Sequence, residues 1–113
     1  MSLVYLVPAV ERPVGEDSDQ KVWIPKYDPD GREMHDHDRI WYAETSPPQL
    51  IRVIRGTPPP PSWAREADVT FLGQFPDDPR AIRHWAARYF RGELKPEEVR
   101  AQSTTLAEQL LQR

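Results

Sequence analysis

The sequence predicts an α+β domain, a small antiparallel sheet of four to five short strands followed by two C-terminal helices. Three observations carry that expectation. Short, β-prone apolar runs punctuated by proline and glycine fill residues 1–76. An amphipathic helical stretch with stop signals at both ends follows them. The length, 113 residues, suits one hydrophobic core rather than two. Residues 1–76 therefore read as a β-rich body with loops and a proline strap, and 77–113 as the helical part of the same single domain.

Leu3-Val4-Tyr5-Leu6-Val7 is an unbroken apolar run stopped by Pro8, as expected of a strand covered on both faces. Glu11 to Gln20 is polar and acidic and contains Pro13 and Gly15, which predicts a loop. Lys21-Val22-Trp23-Ile24 resumes strand character, and Pro25 marks it as an edge strand or a strand end. Tyr27-Asp28-Pro29-Asp30-Gly31-Arg32 has the chemistry of a hairpin turn, with Gly31 in the left-handed position. Its return arm includes Glu33 to Asp36. Arg39 to Ala43 and Leu50 to Arg55 are further strands, separated by Ser46-Pro47-Pro48.

Pro58 to Pro61 are four consecutive prolines and must be extended, a stiff strap with Trp63 as its anchor. Trp63 to Ala67 has room for one helical turn, and Asp68 to Leu72 forms a short strand before Gly73. The first helix is capped by Asp77 or Asp78, starts with Pro79 and is closed by Gly92. Ala81, Ile82, Trp85, Ala86, Tyr89 and Phe90 share one face of it. A second helix begins around Pro96. Its stripe of Val99, Leu106 and Leu110 is thin, so it should lean on the body or on another chain.

Composition narrows the function classes. Hydrophobic residues make up 38% and prolines number thirteen, with a mean hydropathy of −0.74. Yet four Trp, four Tyr and three Phe require a real core. Without cysteine there is no disulfide framework, thiolate metal site or thiol nucleophile. No run approaches a membrane span and none reads as a signal peptide, so the expected location is the cytoplasm or a virion assembled in it. The net charge of −3 offers nucleic acid no bulk attraction. Its distribution is uneven: residues 11–38 hold nine acids against four bases, and residues 80–100 six bases against three acids.

Several constellations could carry chemistry. In an extended segment His35 and His37 would point to the same side as paired metal ligands do, although a third ligand is missing and two solvated histidines explain the motif. Asp28-Pro29-Asp30-Gly31 is no calcium loop, because its twelfth position would be Arg39. No serine sits in a nucleophile elbow, no glycine-rich loop exists, and no carboxylate pair has an apolar surround. An enzyme is not expected, nor a cofactor. The outer face of the first helix carries Arg80, Arg83, His84, Arg88 and Arg91 opposite Trp85 and Tyr89, with no acid among them. These five, with Val99, Leu106 and Leu110, are the expected partner-binding residues.

Tyr5-Leu6-Val7-Pro8, then Pro25-Lys26-Tyr27, and later Ala67-Asp68-Val69 to Pro76-Asp77-Asp78, resemble short proteins encoded by tailed phages and prophages. The four-proline strap and the basic helix depart from that pattern. The resemblance implies a small accessory or virion-associated component and supplies no catalytic residues. The combined expectation is a non-enzymatic interaction or structural module that self-associates or docks on a protein partner in a larger assembly. Two alternatives are a nucleic-acid binder using Arg80, Arg83, Arg88 and Arg91, and a metal-dependent enzyme using His35 and His37.

Overall fold

The computed structural model describes residues 1–16, 19–30, 37–56 and 59–102, with the backbone alone for His37 and Asp38. Its elements are β1 (Ser2–Val7), β2 (Ala9–Pro13), β3 (Lys21–Pro25), β4 (His37–Tyr42), β5 (Gln49–Arg55), β6 (Thr70–Phe75) and α1 (Pro79–Phe90), with a 3-10 turn at Ser62–Arg65. Residues 96–102 are helical as well, so two helices follow the strands. The α+β architecture is the predicted one.

The main sheet has four antiparallel strands in the order β4-β5-β1-β6. β1 sits inside it, flanked by β5 from Ser2↔Arg55 to Val7↔Leu50 and by β6 on the other side. That position explains its unbroken apolar run: alternate side chains enter two different cores. Val4 and Leu6, with Ile51, Val53, Leu72 and Phe75, face Ile82 and Ala86 of α1. Tyr5 and Val7, with Ile54, face Trp63 on the opposite side. The proline segment delivers that anchor. Pro59 and Pro60 are exposed, Pro61 is buried, and Trp63 is inserted against the Tyr5 ring edge at 5.3 Å.

β6 continues through Gly73, where a stop was expected. Gly73 has φ 117, and the register with β1 shifts beside it, from Val4↔Gly73 to Tyr5↔Phe71. A bulge rather than a strand end is what this glycine provides.

The segment expected as a loop is partly strand. β2 pairs with β3 from Ala9↔Pro25 to Pro13↔Lys21 as a separate two-stranded ribbon. A hairpin therefore joins β2 to β3, ahead of the one expected at Tyr27–Arg32. Asp28 takes a left-handed φ of 47, while Gly31 and the expected return arm lie outside the described residues. Glu11 and Arg12 can sit in a strand because ribbon pairing uses backbone groups and both faces meet water.

α1 begins as its sequence requires. Asp78 is the cap, its carboxylate accepting the Arg80 amide at 3.0 Å, and Pro79 follows it. Asp77 instead accepts the Ser2 hydroxyl, which holds its carboxyl below the ordinary range. Gly92, at φ 75, ends the helix and donates to the Tyr89 carbonyl. In the next helical segment Glu98 reaches back to the Lys95 amide at 3.2 Å. Val99, expected at a partner interface, is completely buried in the α1-side core. The short Gly92–Lys95 turn brings it back over the sheet, so it supports this chain's own fold. Among the described residues no helix is long and apolar enough to cross a membrane.

Candidate docking surfaces

The basic face of α1 is real but less free than its spacing implies. Arg80, Arg83, His84 and Arg91 are exposed and Arg88 is half-buried. Arg88 Nε donates to Glu93 at 3.2 Å and Arg91 Nε to the same carboxylate at 2.9 Å. Because of these bonds the Glu93 carboxyl lies below its usual range and the Arg91 guanidinium above its own. The stripe was expected to have no acid. The left-handed turn at Gly92 folds Glu93 back against it. Nor does the stripe lie wholly opposite Trp85: the Arg88 guanidinium is 5.2 Å from that ring and the His84 ring 5.3 Å away. Arg83 donates to the Trp41 carbonyl at 3.4 Å and lies 5.9 Å from the Tyr42 ring. The Arg80 guanidinium has no acidic partner among the described residues. Arg80, Arg83 and His84, the N-terminal half of the stripe, remain presented to solvent.

Leu106 and Leu110 lie outside the described residues, as does His35. Only the backbone of His37 is described.

A cleft of about 410 Å³ opens beside the start of α1, between Arg39 and Arg55 on one side and Asp77 and Asp78 on the other. Its acids are already engaged, one by Ser2 and one as the helix cap. Opposed charges of this kind give no preference for an anion or a cation.

Behind the sheet lies an internal ion pair that the sequence reading passed over. Arg52 faces the Trp63 side of β5, is fully buried, and its guanidinium sits 4.9 Å from the Trp63 ring. It donates to the Tyr27 carbonyl at 3.4 Å and pairs with Asp28 at 3.5 Å. Lys26 and Tyr27 both bond Asp68, at 2.7 and 2.6 Å, and these bonds hold the Asp68 carboxyl below its normal range. Together the contacts clamp residues 26–28, the segment from which the ribbon departs.

The ribbon itself is the larger omission. It starts where Lys26 N donates to Pro8 O at 2.9 Å and continues outward to Val14 N on Gln20 O, also 2.9 Å. Partners opposite one another share a face. Val10, Arg12, Val22 and Ile24 therefore form one side, and Glu11, Pro13, Lys21 and Trp23 the other, with Val14 just past the end of β2. None of the five apolar members, Val10, Val14, Val22, Trp23 and Ile24, belongs to either core among the described residues. Val14 is 58% exposed, Val22 46% and Trp23 39%. The tip adds exposed Glu16 and Asp19. The sequence signal for it is weak, because Val10 and Val14 are separated by Glu11-Arg12-Pro13 and show no period-2 alternation.

The fold and these surfaces define an α+β protein with a four-stranded sheet in its body and a separate, partly apolar two-stranded β-ribbon. Set beside known proteins, the chain matches no family model, no curated sequence and no solved structure.

Proposed function

We propose that the chain is a non-enzymatic docking module that joins a larger protein assembly through the β2–β3 ribbon. The observation that carries this reading is the position of Val14, Val22 and Trp23. Three apolar side chains are 39–58% exposed, and none of them joins either core cluster among the described residues. Exposed apolar clusters on an otherwise well-packed body mark interaction sites, and a two-stranded ribbon adds unpaired strand edges that a partner can engage. A small accessory or virion-associated component of the tailed-phage type is the role that fits, because such a part needs a stable body and an adhesive projection. The acidic ribbon tip and the arginines already held by Glu93 favour a protein partner over nucleic acid.

Replacing residues 14–20 by a two-residue Asn-Gly turn, and Trp23 by Ser, is the test. The expected result is a Tm within about 3 °C of the parent, since the described residues removed lie outside both core clusters, and loss of the partner retained from an extract of the source organism. Unchanged partner retention by the shortened protein contradicts the proposal.

A further inference from the structure

We infer that the ribbon's occupant is a second copy of this chain, whose α1 receives it head to tail. The inference rests on the docking-arm reading and names its partner. Charge supplies the first argument. The described residues of the ribbon and its turn include Glu11, Glu16 and Asp19 against Arg12 and Lys21, while the outward side of α1 offers Arg80, Arg83 and His84. These three are the members of the stripe that Glu93 does not hold.

Dimensions supply the second argument. A strand segment from Ala9 to Val14 spans roughly 20 Å, and the twelve residues of α1 span about 18 Å. The ribbon can lie along the whole helix. The third argument is chemical. Trp23 is the kind of exposed aromatic that anchors interfaces, and arginine is its preferred cationic stacking partner. Arg83 already lies 5.9 Å from the ring of Tyr42 within the same subunit, so the guanidinium faces an aromatic environment. Ala81 and Trp85, one turn apart and half-buried beside the arginines, give the Trp23 face of the ribbon an apolar floor.

The ribbon is held away from its own α1. Its base is fixed by the Lys26–Pro8 bond and by Asp68, and neither β2 nor β3 packs extensively on any other described element. Arm and receptor are different surfaces, so the contact is heterologous and propagates copy to copy into a ring or a filament. This suits a part of a repeating assembly.

Complementation of two dead variants decides it. Trp23→Asp with Val22→Glu disables the arm and leaves the receptor. Arg80→Glu with Arg83→Glu disables the receptor and leaves the arm. All four positions are exposed, and circular dichroism and Tm confirm that each variant is folded. In sedimentation velocity at low salt the parent should grow with concentration, each variant alone should be monomeric, and the equimolar mixture should form a species of twice the subunit mass. Salt at 0.5 M, where the Debye length is only a few ångströms, should weaken that species at least tenfold. A mixture that stays monomeric, or an arm variant that still associates alone, overturns the inference. A monomeric parent whose shortened ribbon still loses a foreign partner overturns it too, and leaves the docking-arm reading standing.

Discussion

Replacing Arg52 by alanine is expected to destabilise the protein by about 3–5 kcal/mol, the cost of removing one member of a buried ion pair. In thermal unfolding this is a Tm lower by more than about 10 °C. Arg52 is fully buried, and the Asp28 side chain opposite it is only 11% exposed, so truncation leaves a carboxylate facing the sheet without its cation. The Trp63 ring loses the guanidinium 4.9 Å away, and the vanished methylenes open a cavity between β5 and the 3-10 turn. Arg52→Met with Asp28→Asn separates the causes. It restores volume and removes both charges, and should recover most of the loss, since replacing a whole buried pair by apolar groups is often neutral. A loss below about 1 kcal/mol in Arg52→Ala would show that water reaches the guanidinium.

Val99→Asp is the second large effect. Val99 lies at 0% exposure in the cluster that contains Leu72, Phe75, Ile82 and Ala86. Burying a valine is worth about 1.5–3 kcal/mol, and a carboxylate in its place adds a desolvation penalty. A loss of at least about 3 kcal/mol is expected in urea unfolding, and roughly 2 kcal/mol in Val99→Ala. If Val99→Asp kept its stability and changed only the association state, the residue would belong to an interface rather than to this subunit's core.

These residues also show why some of the fold was legible and some was not. Leu3–Val7 declared itself because a strand covered on both faces must be apolar throughout. α1 declared itself through Asp78, Pro79 and Gly92, whose roles are fixed by local backbone chemistry. β2 was invisible for the opposite reason: a solvated ribbon is held by backbone pairing, so Glu11 and Arg12 fit it as well as any β-branched residue. Helical spacing placed the α1 arginines on one side, but it fixes only where each side chain starts. Long side chains then reach whatever the neighbouring turn supplies, here Glu93. Val99 is expected at a partner interface because its stripe is thin, whereas a single valine suffices where a tight turn returns it to the sheet. Arg52 carried a usable signal, since a cation within a strand as apolar as Leu50–Ile54 must have partners waiting in the fold.

The central claim is a division of labour between a self-sufficient body and a ribbon that stands apart from it. Hydrogen exchange of the dilute protein tests this most directly. Amides of β1 and β5 should exchange only on global unfolding, while those paired between Val10 and Ile24 should exchange far faster and slow down when the protein is concentrated into its associated form. Ribbon amides as protected as those of β1 in the dilute protein would contradict it, because the ribbon would then be part of the cooperative core.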